Sequence, residues 1–148
     1  MPEYYHTRVN SKKSQPDTDF SKFMRDITSY RKASWDKDKG NKLCKGDYLG
    51  FITGPTGHEL VYIFKVISEH PSSDRPNHWV KGKPHTIGNG KYSVDNREVI
   101  ELSNNHSLPK TIEWKQFREI TGLGKNCKSW MPRGTQRIRD KTVLPFNL

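Results

Sequence analysis

Two neighbouring apolar runs constrain this chain more than any other feature: Tyr48-Leu49-Gly50-Phe51-Ile52 and Leu60-Val61-Tyr62-Ile63-Phe64-Lys65-Val66-Ile67. Both are rich in aromatic and β-branched residues, which fit a pleated surface. Gly54-Pro55-Thr56-Gly57 lies between them and supplies turn chemistry, so the pair reads as a β-hairpin. The second run is apolar on both faces over most of its length. Such a strand needs cover on both sides, in the middle of a sheet or in the wall of a barrel.

The flanking segments supply that cover. Tyr4 to Val9 can form a short strand. Phe20, Phe23, Met24 and Ile27 fall at i, i+3, i+4 and i+7, the stripe of an amphipathic helix. Asp17, Thr18 and Asp19 precede it with an N-cap and with acids near the positive end of the helix dipole. The helix should fade near Tyr30, and Asp36 to Lys42 reads as a solvated loop. Residues 68–97 form a long polar insertion with His70, His78, Trp79 and His85. A polar stretch of that length inside a domain is usually functional, or ordered only by a ligand. Arg97 to Leu102 reads as another strand. Pro109-Lys110-Thr111 opens a short helix whose Trp114, Phe117 and Ile120 face inward, and Gly122 and Gly124 stop it. Arg133 to Arg139 fits a closing strand with basic residues on its outer face. No repeat and no second domain interrupt residues 1–148, so the expectation is one α+β domain.

Charge narrows the partners. The 148 residues carry a formal net charge of +10. Residues 8–45 hold eleven Lys and Arg against five Asp, and residues 128–141 hold five against one. A positive field of this kind concentrates polyanions and speeds their encounter, although a solubility bias would leave the same composition. No apolar run approaches the ~20 residues that cross a bilayer, and the first residues lack the apolar core of a secretory signal. Cys44 and Cys127 have no partners at metal spacing and read as reduced thiols. The expected location is intracellular, cytoplasmic or nuclear.

Enzyme chemistry finds little support. The six histidines, at 6, 58, 70, 78, 85 and 106, never fall at the i, i+4 spacing of a helical metal pair. Gly54-Pro55-Thr56-Gly57 lacks the Lys-Ser/Thr of a phosphate loop, and no nucleophile elbow is present. The expectation is a non-enzyme without metal or cofactor. Asp74, His78 and His85 in the insertion are the residues a dispersed hydrolytic site would use. Aromatics are more telling, because Trp35, Trp79, Trp114 and Trp130 all lie close to Lys or Arg. Basic groups neutralise phosphate while aromatic faces stack on unpaired bases, at ~1–3 kcal/mol per base. Trp114, on the apolar helix face, reads as core. Trp35 is balanced between core and site, Trp79 leans to the site, and Trp130 is left open. Tyr48, Phe51, Tyr62 and Phe64 read mostly as core on composition.

The order of these pieces resembles the EVE branch of the PUA-like superfamily, kin to the YTH and ASCH domains. Ser34-Trp35-Asp36 followed by Lys45-Gly46-Asp47-Tyr48-Leu49-Gly50-Phe51 is similar to the family's Trp segment and its Lys-x-Gly-Asp entry into a barrel strand. Leu60 to Glu69, then Pro71 and Trp79, is similar to the next strand and its exit. Thr111 to Phe117 and Arg133-Gly134-Thr135-Gln136 resemble the closing helix and strand. Asp36-Lys37-Asp38-Lys39 departs from the family's usual run after the first Trp, as does the basic insertion between Asp74 and Arg97. The resemblance implies a small, strongly bent β-barrel flanked by helices, with a modified base held in an aromatic pocket beside a basic surface. Such a reader would stack a methylated or unpaired base of DNA or RNA on Trp35 and Trp79, over a floor of Tyr48 and Phe51. Lys81, Lys83, Arg133, Arg137 and Arg139 would contact the backbone. The alternatives are a general nucleic-acid-binding or architectural module without a base pocket, and a regulatory domain whose basic face meets an acidic protein.

Overall fold

A computed structural model describes residues 1–9, 20–36, 42–53, 59–71, 84–87, 90–93, 98–127 and 130–148. The hairpin read from the apolar runs is its centre. Strand β3 (Tyr48–Thr53) is buried along its whole length and pairs antiparallel with β4 (Leu60–Pro71). On the far side of β3 lies β1 (Tyr4–Arg8), in parallel, with Tyr4 opposite Tyr48 and His6 opposite Gly50. The edge beyond β1 is β9 (Gln136–Ile138), antiparallel.

The twelve residues of β4 outrun its partner, and its other side is shared between two strands. Its first residues pair with β8 (Thr111–Glu113) and its last with β7 (Glu98–Ser103). Between those partners the chain crosses Ile63, whose carbonyl accepts from Asn104 Nδ2 and His106 Nε2, both at 2.8 Å. The Ile63 N–H donates to the Lys110 carbonyl at 2.9 Å, so this strand edge is satisfied where no strand covers it. A bulge between Val66 and Ser68 kinks β4 and turns Ile67 outward, 42% exposed. Beyond β7 lies β2 (Lys32–Asp36), the opposite edge.

The main sheet therefore runs β2-β7-β4-β3-β1-β9, with β8 attached to β4. The fold is α+β, but strand pairing does not close it into the barrel that the sequence resemblance implied. Its two end strands, β2 and β9, remain unpaired to each other among the described residues. Each end strand is short and polar, which blunts its free hydrogen-bonding edge.

Both faces of the sheet are covered, as the doubly apolar β4 requires. On one face Tyr5, Leu49, Phe51, Phe64, Val66, Ile100 and Leu102 pack with Trp35 against Phe23 and Ile27. Those last two come from α1 (Phe20–Arg25) and the turn of π-helix that extends it, Asp26–Tyr30. The N-cap expected from Asp17, Thr18 and Asp19 lies outside the described residues. On the other face Tyr4, Ile52, Val61 and Ile63 meet Trp114 and Phe117 of α2 (Trp114–Thr121), with Leu144 and Phe146 of the final segment.

Three sequence expectations change here. Residues 111–113 are a strand, and the helix begins only at Trp114. Thr111 and Ile112 are β-branched, and pairing along β4 outweighs the start signal of Pro109. Ile120 is 48% exposed rather than inward, because the helix ends in the next turn at Gly122, φ 73°. The span 68–97 is also less irregular than its polarity suggests: β4 continues to Pro71, and β5 (Pro84–Ile87) and β6 (Gly90–Ser93) form a two-stranded sheet within it.

Candidate nucleic-acid interface

The edge strand β9 gathers the basic tail. Ile138 is buried opposite Tyr4 and anchors the strand, while Arg137, on the other parity, stands opposite Tyr5 and is exposed. Arg139 and Arg133 are exposed at its two ends. Gly134 takes φ 64°, a left-handed turn that an L side chain would strain, and it brings Arg133 back towards the strand. Gln136 Nε2 donates to the Arg133 carbonyl at 3.3 Å and closes that turn. Acidic neighbours are already engaged: Asp140 caps the final 3₁₀ turn through Thr142 N at 3.0 Å, and Glu3 pairs with Lys141 at 3.1 Å. Hydrogen bonds from Thr142 hold the Asp140 carboxyl below the usual range. The arginines at 133, 137 and 139 thus stand where the sequence put them, on an exposed edge.

The expected aromatic pocket does not assemble from its described members. Trp35 and Phe51 lie in the core beside Phe23, with ring centroids 5.1 to 5.4 Å apart. Trp35 is 4% exposed and Phe51 fully buried, so neither offers a face to a base. Tyr48 belongs to the opposite face of the sheet. Its ring takes the edge of His106 at 5.6 Å and the Lys65 ammonium at 5.9 Å from its centroid. The physical reason is the pleat: positions 48 and 51 differ in parity and project to opposite sides of β3. Trp79, Lys81 and Lys83 lie outside the described residues, as do Asp74 and His78; His85 is on β5.

Trp114 and Trp130, by contrast, are stacked, 6.1 Å apart at 21°. Trp114 also stacks on Phe117 at 5.8 Å and is 3% exposed. Trp130 packs against Gly124, where an added Cβ would fall 2.5 Å from the indole. Arg118 holds that loop by donating to the carbonyls of Leu123 and Gly124 at 3.2 and 2.6 Å, and to that of Cys127. This arginine is structural.

His6 is the residue that sequence reading missed. It is 1% exposed and meets the rings of Tyr4, Trp114, Phe117 and Trp130 at 6.1 to 6.4 Å. Burial pushes its imidazole down to about 4, against a hydrogen bond that it donates to Gln136 and that favours the charged form. The only signal in the sequence was a histidine directly after two tyrosines in a predicted strand. Tyr30 was missed too: 61% exposed, it stands beside the exposed Arg31 and Lys32 where β2 begins. Among the described residues no three His, Cys, Asp or Glu gather to hold a metal, and no helix is long and apolar enough to cross a membrane. Cys44 and Cys127 form no disulfide. No protein-family model, curated protein or solved structure matches this chain.

Proposed function

We propose that this protein binds nucleic acid, with the β9 edge as its contact to the phosphate backbone. One observation carries the reading: Arg137 is exposed on the edge strand β9, and Arg133 and Arg139 are exposed in the chain on either side of it, in a protein of net charge +10. Arginine presents a planar fork that matches phosphate, and released counterions would supply much of the affinity. Tyr30, Arg31 and Lys32 give the opposite edge a second basic strip with an aromatic that could stack on a base. The resemblance to EVE-type readers adds the holding of a modified or unpaired base. The burial of Trp35 and Phe51 favours a backbone binder over a reader that stacks its base on those two rings.

The test is binding of labelled single-stranded and duplex oligonucleotides, methylated and unmodified, across a salt series. Binding should weaken steeply with salt. Replacing the three arginines by glutamine should lower the log–log salt slope by about 2, at ~0.7 per phosphate contact on a single strand. Absence of binding at low salt, or an unchanged slope in the triple variant, would overturn the proposal.

A further inference from the structure

An ammonium carries three N–H donors and no acceptor, so a lysine drawn onto a protein surface without a carboxylate leaves charge to be met from outside. Lys65 of β4 is half-buried, and its Nζ lies over the Tyr48 ring, 5.9 Å from the centroid. Among the described residues that Nζ has no hydrogen-bond acceptor and no ion-pair partner. Register extends the same sign along the sheet. Lys65 stands opposite Ser103, and Ser103 stands opposite Lys32 of β2, so the three project from one face in one row. Ala33, the next residue, is buried in the core of the other face, as the pleat requires. Two strand spacings, about 10 Å, separate the two lysines at the backbone, a gap that two flexible four-carbon stems can close around one anion.

A third lysine joins them beside His106. Lys110 is half-buried, and its ammonium donates to the His106 carbonyl. The imidazole lies edge-on to the Tyr48 ring that Lys65 covers. Leu108 N–H donates to its Nδ1 at 3.1 Å, so Nε2–H donates to the Ile63 carbonyl and the ring is neutral. Burial first, then the charges of Lys110 and Lys65, hold His106 below its ordinary value, against its hydrogen bonds with Ile63 and Leu108. The charged groups that act on this ring are therefore both cations. Glu101, the next outward residue of β7 on the row's face, accepts from Ser68 at 2.9 Å.

We infer that Lys32, Lys65 and Lys110 form a phosphate seat on the α2 side of the sheet, and that a backbone phosphate of the bound nucleic acid occupies it. The inference rests on the nucleic-acid reading above and gives it a second contact surface. That surface is separate from the arginines, because β3 and β1 lie between β4 and β9. Lysine meets phosphate as a point charge rather than a fork, which suits a contact that positions the strand and reads no sequence. The exposed Tyr30 and Arg31 continue the seat to the β2 edge.

The experiment uses the full chain with oligo(dT), with its duplex with oligo(dA), and with inorganic phosphate, and it has two readouts. The first is the His106 pKa, followed through its ring protons by NMR from pH 8 to pH 5. Saturating oligo(dT) should raise it by about half a unit, because an anion among the lysines offsets their field. The second is salt dependence. Lys32→Gln combined with Lys65→Gln should lower the log–log slope for oligo(dT) by about 1.4, at ~0.7 per contact. Lys115→Gln with Lys125→Gln removes the same charge from exposed positions outside the seat and should leave the slope unchanged. An equal loss of slope in both pairs overturns the seat, since net charge alone would then set the slope. A His106 pKa raised by inorganic phosphate but not by oligo(dT) overturns the assignment to the nucleic-acid backbone and gives the seat to free phosphate. Binding with an unmoved His106 and an unchanged slope in the first pair overturns the inference and leaves nucleic-acid binding standing. No binding of either oligonucleotide at low salt overturns both.

Discussion

Acidification should destabilise this fold through His6 in a way that can be isolated. The imidazole is buried among Tyr4, Trp114, Phe117 and Trp130, none of them charged, and its pKa falls from 6.5 to about 4. The folded-state pKa lies below the unfolded one, so between these values the unfolded chain takes up a proton that the folded chain refuses. Stability is therefore full above pH 6.5 and is lost progressively as pH falls towards 4. One pH unit of difference is worth about 1.4 kcal/mol, so the whole window amounts to roughly 3 kcal/mol. His106 titrates in the same sense, because burial lowers its pKa too, and Asp140 also contributes on acidification. Comparison with His6→Phe cancels both, since it alters only the ring at position 6. Urea unfolding of the two proteins from pH 8 to pH 4 should show the wild type losing roughly 3 kcal/mol relative to the variant. A difference that stays flat across that range would refute the account of a neutral, desolvated imidazole.

Other outcomes follow from single contacts. Gly50→Ala should cost about 1–3 kcal/mol by thermal or urea unfolding, because the new methyl meets Tyr4 Oη and the Val61 side chain within 3 Å. Trp35→Ala should cost about 3–5 kcal/mol, as a core truncation, and should leave the salt slope of nucleic-acid binding unchanged once the protein is folded. Asp47→Ala should cost about 2–3 kcal/mol, since the carboxylate accepts from Glu3 N and Cys44 N, each at 3.0 Å, and ties β1 to the entry of β3. Wild-type stability in that variant would mean the two N–H groups find water instead.

Much of the architecture was legible in local sequence. The doubly apolar run from Leu60 demanded a central strand with cover on both faces, and β4 has that place between β3 and β7. The stripe from Phe20 to Ile27 and the stop at Gly122 depend on neighbours a few residues away, so they were readable as well. Lys32 to Asp36 shows no strand pattern, and only pairing with β7 makes it one. The same is true of Thr111 to Glu113, whose strand state is decided by β4.

The exposed arginines on and beside β9 are where composition and alternation placed them, because charge stays in water by default. Aromatic roles could not be settled that way. A tryptophan reads alike whether it caps a pocket or fills a core, and what separates the two is which side of the pleat it takes and what lies across the sheet. That geometry buries Trp35 and Phe51 on one face and sets Tyr48 on the other. It also brings the Tyr4 hydroxyl over Gly50, 46 positions along the chain. By itself the sequence determined a basic, two-faced sheet protein with its charge at the surface. The tertiary structure alone decided which polar atoms were left without partners, because partners come from strands and helices distant in the chain.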